Sequence, residues 1–447
     1  MEVLSHTTEV IRDSAHELTG SREDYDGLLE MIGDARFVLL GESTHGTHEF
    51  YRERAQITKR LIKEKGFTAI AVEADWPDAY RVNRFVRGES EDMDAEEALQ
   101  DFKRFPTWMW RNADVLDFVG WLREYNDKVA DPVRKIGFYG MDLYSLHSSI
   151  HAVLDYLRKQ DPEEARRARA RYSCFEHFGE DPQSYAFAAT SSHMNSCEEE
   201  VIRQLVEIRR RSTDYLKNHR REAADEYFFA EQNARLVKNA EQYYRSMFYG
   251  RQSSWNLRER HMVETVSMLA EHLEKTRELP QKLVVWAHNS HLGDARGTQM
   301  ADRGELNVGQ LMRERFADQT VLVGFTTFSG SVTAASEWDA PAERKRVRDA
   351  LPESYEGIFN KVGFERFFLN LRDNPEIHER LSEAKLERAI GVIYLPQTER
   401  MSHYFEARLS EQFDAVLHFD QTRAVEPMER SAQWRKGDIP ETFPFSV

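Results

Sequence analysis

Acidic and imidazole side chains follow four short apolar segments of this sequence. They are Glu42, His45, Glu73, Asp142, His288 and His291. Imidazoles and carboxylates can act as general acids and bases, can orient one another, and can bind metal ions. A charged side chain that is buried without a partner costs free energy. A functional cluster that pairs the charges explains why Glu42, His45, Glu73 and His288 stand at strand ends better than chance does.

The apolar segments themselves predict strands. They cover residues 37–40, 69–72, 136–139, 283–286, 321–325, 390–395 and 415–419. Their shortness and lack of alternation are typical of strands buried on both faces of a sheet. Helical periodicity over 49–65, ending at Gly66, and over 112–126 predicts an α/β fold, with a mostly parallel central sheet and helices on both faces. Ligands bind such sheets beyond the carboxyl ends of the strands, so one shared edge would gather the six side chains.

The middle of the chain has a different pattern. Residues 162–274 contain no strand-like run and carry apolar residues at helical spacing, so we expect a helical insertion. The predicted organisation is residues 1–160 as the first part of the α/β core with N-terminal helices, 161–276 as a helical insertion covering the cleft, and 277–447 as the second part of the core. No repeat or low-complexity linker separates these parts, which favours one composite domain.

Charge and composition narrow the choice of partners and location. The net charge is −16, which repels a phosphate backbone and argues against a nucleic-acid partner. No apolar run approaches the roughly 20 residues that span a membrane, and residues 1–15 lack the apolar segment of a secretory signal. Cys174 and Cys197 show no metal-binding or redox spacing. We therefore expect no disulfide and a cytoplasmic protein, while the oligomeric state is not predicted.

Three mechanisms compete for the clustered residues. Ser43 lies in Gly-x-Ser-x-x-Gly, one residue longer than the nucleophile elbow, so we rank serine catalysis low. A divalent metal bound by Glu42, His45, Glu73 and His288 is a second reading, although the spacing is a weak signal and no helical zinc motif is present. We prefer the third, in which an imidazole oriented by a carboxylate activates water, and expect no cofactor.

Several of these residues also have a structural interpretation. Ser43 or Thr44 could cap the helix that follows, and Asp75 before Trp76-Pro77 is better explained as a cap than as a catalytic group. Asp142 suits a capping or supporting role as well as a catalytic one. His291 could simply hold its loop.

The motifs around these residues resemble those of the erythromycin esterase family. The likeness is carried by residues 41–50 (GESTHGTHEF) with Arg52 and Arg54, by 72–77 (VEADWP) and by 286–294 (WAHNSHLGD). It extends over nearly the whole chain through motifs at 105–110, 137–144, 231–234, 255–258, 306–310 and 402–405. The motifs at 76–77 and 105–110 resemble the longer, broadly distributed branch of the family. Glu259 stands where the resemblance predicts aspartate and keeps the charge.

The resemblance implies an α/β core with helices over a deep cleft, and ester or lactone hydrolysis by activated water without a covalent serine intermediate. It implies His45 as the general base, with Arg54 among the residues that line the site. We predict catalytic roles for His45, Glu42, Glu73 and His288, and substrate-binding roles for Arg54, His291, Asp142 and Asn289. His288 and Arg54 would polarise the carbonyl or protonate the leaving alkoxide.

The substrate is predicted only as a small-molecule ester or lactone, because fold and site chemistry do not fix it. The family name reflects members that open a macrolide ring, so macrolide inactivation and antibiotic resistance form one expectation. The alternatives are a metal-dependent hydrolase using the same site, and a non-catalytic protein that binds haem, a metal or a small molecule.

Overall fold

The strands form one large mixed sheet and one small sheet. This computed structural model describes residues 2–178, 185, 187, 196–215, 221–247 and 250–437. In chain order the strands are β1 (His16–Glu17), β2 (Phe37–Leu40), β3 (Ala69–Asp75), β4 (Gly137–Asp142), β5 (Leu283–Trp286), β6 (Thr320–Ala334), β7 (Glu343–Val347), β8 (Arg366–Asn370), β9 (Lys385–Arg388), β10 (Tyr404–Ala407) and β11 (Ala415–Thr422).

The central part of the large sheet is parallel, as predicted. Across the sheet the order is β1, β8, β11, β6, β2, β5, β3, β4, with β7 paired to the end of β6. Neighbouring strands are parallel from β11 to β4. By contrast, β1, β7 and β8 pair antiparallel with their neighbours. The small sheet consists of β9 and β10.

Helices account for most of the remaining described chain. They are α1 (Glu2–Ser14), α2 (Asp26–Ile32), α3 (His48–Lys65), α4 (Trp76–Arg87), α5 (Ala95–Ala98), α6 (Ala113–Asp127), α7 (Leu146–Gln160), α8 (Pro162–Tyr172), α9 (Glu198–Arg210), α10 (Ser212–Tyr215), α11 (Arg221–Ser246), α12 (Arg251–Arg277), α13 (Asn289–Leu292), α14 (Val308–Phe316), α15 (Tyr355–Phe359), α16 (Pro375–Arg380), α17 (Glu399–Ser402), α18 (Leu409–Gln412) and α19 (Ala432–Lys436). Between residues 161 and 276 the described residues form α8 to α12 and contain no strand.

The sheet is covered by helices on both faces. Along β2, Phe37 and Leu39 point into one apolar core and Val38 and Leu40 into the other. Helices α7, α11 and α12 contribute to the first core, and α3, α4 and α6 to the second. Burial on both faces explains why β2 consists entirely of apolar residues, because neither side of the strand meets water.

The predicted helix boundaries follow from local chemistry. The carboxyl end of α3 is Gly66, whose φ of 72° lies in the left-handed region that glycine adopts at low cost. At the start of α6 the Asn112 side chain accepts a hydrogen bond from the backbone N–H of Val115. The helix after β2 begins at His48, so neither Ser43 nor Thr44 caps it.

Residues 390–395 do not form the strand that their composition predicts. Apart from isolated bridges at Ile390 and Ile393, they make no ladder. Ile390 and Tyr394 instead fill a small core with Val332, Ala334 and Val347. Their apolar character therefore serves packing, whereas the charged segment Lys385–Arg388 forms β9.

The expectation that the cysteines stay unpaired is wrong. Cys174 and Cys197 form a disulfide with their Cα atoms 6.0 Å apart, linking the turn after α8 to the start of α9. Sequence spacing could not reveal this proximity, because it depends on how the helices pack. The cytoplasmic location, which rested on unpaired cysteines, stays a prediction. None of the described helices has the length and apolar character that crossing a membrane requires.

Candidate active site

The predicted residues meet at the carboxyl edge of the sheet. Strands β2, β5, β3 and β4 are consecutive there. Glu42 and His288 follow β2 and β5, while Glu73 and Asp142 lie near the ends of β3 and β4. The backbone N–H of Asn289 donates to the Glu42 carbonyl over 2.7 Å, which joins the segments after β2 and β5 directly.

His45 is oriented by Glu42. His45 Nδ1 lies 2.9 Å from Glu42 Oε1. An ionised carboxylate only accepts hydrogen bonds, so Nδ1 carries the proton and Nε2 keeps its lone pair. The Tyr51 hydroxyl donates to the His45 carbonyl over 3.0 Å and fixes the backbone at this point. Within the described part of the chain, Nε2 makes no hydrogen bond.

Arg54 lies behind Glu42, away from the imidazole. Its Nη2 is 2.7 Å from Glu42 Oε2, and the side chain is fully buried. The guanidinium packs over the rings of Tyr51 and Trp286, with its Cζ 4.6 and 5.1 Å from their centroids. The ion pair and both rings hold Arg54 in place and leave it facing the protein interior.

His288 has the opposite hydrogen-bonding pattern from His45. Its Nδ1 accepts from the backbone N–H of Ser290 over 3.2 Å and lies 2.9 Å from the Ser290 hydroxyl. Because a backbone N–H can only donate, the ring proton is on Nε2, which makes no hydrogen bond of regular geometry to the described residues, with the Ser43 backbone close to the ring. Burial, together with positive charge at His45, lowers the pKa of His288 to about 3, against the opposing effect of Glu73. His288 is therefore a neutral donor, and its ring centroid lies 4.9 Å from that of His45.

Glu73 connects the His288 segment to a buried cation. Its Oε2 accepts the His288 backbone N–H over 2.9 Å, and its Oε1 accepts from Arg258 Nη2 over 2.7 Å. The same Oε1 lies 3.2 Å from His291 Nε2. Burial alone would raise the pKa of Glu73, but positive charge at His291, His45 and Arg258 outweighs it and lowers that pKa well below the usual range. Glu73 is therefore ionised at neutral pH.

His291 is held between two carboxylates. Its Nδ1 lies 2.6 Å from Glu259 Oε1, and its ring stacks on Trp255 with the centroids 4.8 Å apart. Burial would lower the pKa of His291, but Glu259 and Glu73 outweigh burial and raise it to about 9. His291 is thus cationic at neutral pH, unlike the neutral His288 three residues earlier.

The four predicted substrate-binding residues face protein partners in this structure. Arg54 pairs with Glu42, and Asp142 receives two hydrogen bonds from Arg258, of 3.0 and 2.7 Å. The amide of Asn289 donates to the Phe325 carbonyl and accepts from the Phe325 N–H, tying β5 to β6. His291 lies in the carboxylate network described above. Each of the four residues therefore has protein partners in this structure, and its role in binding substrate stays a prediction.

Arg258 and Glu259 are the residues that sequence reasoning missed. Both lie on α12, and together they contact Glu73, Asp142 and His291. The signal was present in the motif at 255–258, which ends in Arg258, and in the acidic residue that follows it. Their partners became visible only with the packing of α12 against the sheet edge.

A large cleft opens next to this cluster. Its volume is about 2310 Å³, and α4, α7 and α11 contribute to its walls. His45 and His288 do not line it, but Asp75, two residues beyond Glu73, and Tyr144 do. The guanidiniums of Arg104 and Arg258 both lie over the ring of Tyr144, with their Cζ atoms 4.6 and 4.9 Å from its centroid. Tyr144 therefore contacts both the cleft and the Arg258–Glu73 pair.

Comparison with known proteins identifies the family. The family model described as erythromycin esterase matches residues 62–422, which is most of the chain. This chain belongs to the erythromycin esterase family. An Escherichia coli protein named erythromycin esterase type II is 23% identical over 422 residues, covering 90% of this chain and 94% of that protein.

Solved structures show the same fold as this erythromycin esterase family member. A Bacillus cereus protein superposes with a TM-score of 0.76 at 22% identity, over 95% of this chain and 99% of that one. A mutant of the erythromycin esterase EreC, in its open conformation, superposes with a TM-score of 0.64 at 17% identity, over 89% and 93% of the two chains. Membership of the family supports a hydrolase.

The side chains of the cluster are a poor fit for a metal ion. In the part of the chain that the structure describes, no three His, Cys, Asp or Glu side chains are arranged to hold one. Guanidiniums lie where a cation would be needed, since Arg54 and Arg258 occupy the oxygens of Glu42, Glu73 and Asp142. His45 and His291 also direct Nδ1 at carboxylates.

Proposed function

We propose that this chain hydrolyses a carboxylic ester or macrolactone with water activated by His45. The observation that carries the proposal is the pairing of His45 and His288, whose rings lie 4.9 Å apart and have opposite hydrogen-bonding patterns. One ring presents a lone pair and the other presents an N–H. Ester hydrolysis requires a base for water and a donor for the oxyanion that forms on the carbonyl oxygen.

In the first step, His45 Nε2 takes a proton from water as the water oxygen attacks the carbonyl carbon. The Glu42 carboxylate, 2.9 Å from Nδ1, orients the ring and stabilises the imidazolium that forms. Arg54 holds the other oxygen of Glu42 and so keeps the carboxylate pointing at the ring. The arrangement follows the logic of a carboxylate–histidine pair, with water in place of a serine nucleophile.

The neutral His288 stabilises the oxyanion in this proposal. A neutral imidazole donates a hydrogen bond from Nε2 but is too weak an acid to give up that proton. The leaving alkoxide therefore takes its proton from the imidazolium of His45, which returns the base to its starting state. Glu73 fixes the His288 backbone through a 2.9 Å hydrogen bond and thereby positions the donor.

Charge balance in the cluster also favours His45 as the base. Four carboxylates, Glu42, Glu73, Asp142 and Glu259, surround two guanidiniums and the cationic His291. The carboxylates outnumber these three cationic groups by one, and Glu42 is the carboxylate that contacts His45.

For the substrate, we propose an uncharged ester or lactone, with a macrolide as one member of that class. The name of the Escherichia coli relative supports testing macrolides. A role in macrolide resistance and a cytoplasmic location are parts of the same proposal. The experiment must distinguish this proposal from two alternatives. One is a metal-dependent hydrolase, and the other is a non-catalytic protein that binds haem or a metal.

A single screen tests the function. The purified protein is incubated with chromogenic esters and with erythromycin, with and without EDTA, and its visible spectrum is recorded. We expect hydrolysis that EDTA does not reduce and that H45N lowers by ~10²–10⁴. If EDTA abolished hydrolysis and zinc restored it, a metal ion and not His45 alone would activate the water. A Soret band without hydrolysis would replace the hydrolase with a haem-binding protein.

A further inference from the structure

A buried carboxyl behind the candidate active site has no cation to balance it. Glu387 lies on β9 in the small sheet and is fully buried. A buried charge costs free energy unless an opposite charge or hydrogen bonds compensate it. The guanidinium of the neighbouring Arg388 is used elsewhere, since it pairs with Glu399 over 3.1 Å and donates to the Tyr404 hydroxyl over 2.9 Å. Among the described residues, none that acts on the charge of Glu387 is a cation.

Unpaired oxygens around Glu387 indicate that its carboxyl carries a proton. Glu356 on α15 is also fully buried, and its Oε1 accepts the backbone N–H of Arg388, next to Glu387, over 2.9 Å. Glu387 Oε2, Glu356 Oε2 and Gln412 Oε1 are buried acceptors that make no hydrogen bond of regular geometry to the described residues. A proton on Glu387 removes its charge and adds a donor among these acceptors. Burial, reinforced by Glu356, raises the pKa of Glu387 to about 8, against the opposing effect of hydrogen bonds to its oxygens.

The remaining groups around this carboxyl pair stay neutral at ordinary pH. Burial raises the pKa of Tyr355 on α15 and lowers that of His418 on β11. The side chains of Asn289 and Gln412, which act on Glu387 from α13 and α18, are amides and do not titrate. A change of charge in this region near pH 8 is therefore a change at the carboxyl pair itself.

Glu387 contacts the residue that fixes the backbone of Glu42. Its Oε1 accepts a hydrogen bond from Asn289 Nδ2 over 3.4 Å. The backbone N–H of Asn289 donates to the Glu42 carbonyl over 2.7 Å, and its Oδ1 leaves no room for a side chain on the residue before Glu42, where a Cβ would lie 2.1 Å away. Three residues beyond Glu387, the backbone N–H of Ile390 donates to the Ser43 carbonyl over 2.8 Å. The β9 segment therefore supports the backbone on both sides of Glu42.

We propose that Glu387 is a positioning residue that acts as an uncharged carboxylic acid, holding Asn289 and, through it, the backbone of Glu42. The proposal rests on the proposed function, because Glu42 orients the base His45 there. Loss of the proton creates a buried charge without a counter-ion behind Asn289 and weakens this support. The activity of the wild type therefore falls as the pH rises through about 8.

Two measurements that need no substrate test the proton. The infrared spectrum of E387Q is subtracted from that of wild type, and we expect the carbonyl stretch of a protonated carboxyl at pH 6 but not at pH 10. The folded pKa of Glu387 lies above the ordinary value of 4.5, so ionisation destabilises the wild type progressively from pH 4.5 to about 8 and by a constant amount above. The Tm of E387Q relative to wild type should rise over that range and then stay level. Absence of the band at pH 6, or a Tm difference that does not vary with pH, would overturn the proposal.

The positioning role is measured at His45. The proton resonance of His45 Nδ1–H, assigned by its loss in H45N, is compared in wild type, E387Q, E387M and E406Q. E387M keeps the size of the side chain but loses its hydrogen bonds, so we expect the resonance to shift. In the same variant, kcat for a chromogenic ester should fall about fivefold, the effect of one lost hydrogen bond, with KM unchanged because Glu387 touches no substrate. E387Q should match wild type at pH 7 and keep its kcat above pH 8, where that of wild type falls.

The control is E406Q, which replaces an exposed carboxyl on the other strand of the small sheet and should match wild type in the resonance and in kcat. An unshifted His45 resonance with unchanged kcat in E387M, or a loss of kcat in E387Q as large as in E387M, would overturn the inference while leaving the hydrolase intact. If wild type hydrolyses no ester, the proposed function fails. The infrared band and the His45 resonance then decide this inference alone, which holds if both change as expected and is wrong if either does not.

Discussion

His45 and His288 lie with their ring centroids 4.9 Å apart, yet their partners give them different protonation patterns. The carboxylate of Glu42 places the proton of His45 on Nδ1, whereas the backbone N–H of Ser290 places that of His288 on Nε2. The Nε2 atom of His45 can therefore accept a proton, whereas the Nε2–H of His288 can donate a hydrogen bond. The predictions below separate those tasks.

The first prediction concerns the base. H45N should lower kcat by ~10²–10⁴, the usual contribution of general acid–base catalysis, with little change in KM. S43A should lower it far less, because Ser43 is not the nucleophile. The two variants are compared in steady-state assays, with mass spectrometry of enzyme quenched during turnover. An acyl-enzyme on Ser43, or complete loss of activity in S43A, would contradict activation of water by His45.

The second prediction concerns the oxyanion donor. H288A should lower kcat by ~10²–10³, as the loss of one oxyanion donor does elsewhere, and H288Q should recover part of it because its amide retains an N–H. The pKa of His288, lowered to about 3 by burial, means that the ring stays neutral across the assay range. The pH profile of kcat/KM for H288Q should therefore keep the acidic limb of wild type between pH 4 and 8. Disappearance of that limb would show that His288, not another group, titrates in catalysis.

The third prediction concerns Arg54 as a positioning residue. R54M leaves Glu42 buried without its counter-charge, and breaking a buried pair typically costs ~3–5 kcal/mol of stability. Adding E42Q removes the uncompensated charge, so the double variant should regain much of the lost Tm but none of the kcat. The control is R22M at the exposed Arg22–Glu64 pair, which should change stability by less than ~1 kcal/mol. If R54M raised KM alone and left Tm unchanged, Arg54 would be a substrate contact.

The sequence predicted the sheet edge because the central strands are buried on both faces. The predicted strands 37–40 and 283–286 have the same bounds as β2 and β5. A strand that meets water on neither face consists of apolar residues only, which makes it visible in the sequence. Strand β9 was missed for the converse reason. Its Glu387 and Arg388 are fully buried, and Arg388 is paired with Glu399, so a charged sequence hides a buried strand.

The burial of Arg54 on α3 could be partly predicted from the sequence. It lies at helical spacing from Phe50, Ile57 and Leu61, all buried, so α3 carries it on its core-facing side. That pattern indicates a paired, buried guanidinium more than a substrate contact. The contacts of Arg258 and Glu259 were not readable in this way. They depend on how α12, more than a hundred residues after Asp142, packs against the sheet.

The last prediction concerns the pH dependence of stability. Glu259 and Glu73 raise the pKa of the buried His291 from 6.5 to about 9. Because the folded value lies above the unfolded one, this stabilisation is fully present below pH 6.5 and is lost as the pH rises through 9. The shift corresponds to on the order of 3 kcal/mol. H291Q lacks the titrating ring, so its Tm deficit relative to wild type should be largest near pH 6 and should shrink steadily towards pH 10.

His16 provides the control for this experiment, since it is an exposed histidine on β1. The Tm of H16Q, which removes an exposed imidazole outside the cluster, is measured over the same pH range. Using differences cancels the contribution of other groups that titrate in the same range, such as Glu387, whose pKa burial raises to about 8. If the Tm deficit of H291Q were constant from pH 6 to pH 10, His291 would be neutral in the folded protein. One cation would then be missing from the cluster, the excess of negative charge around His45 would be larger than proposed, and Glu73 would depend on His45 and Arg258 to stay ionised.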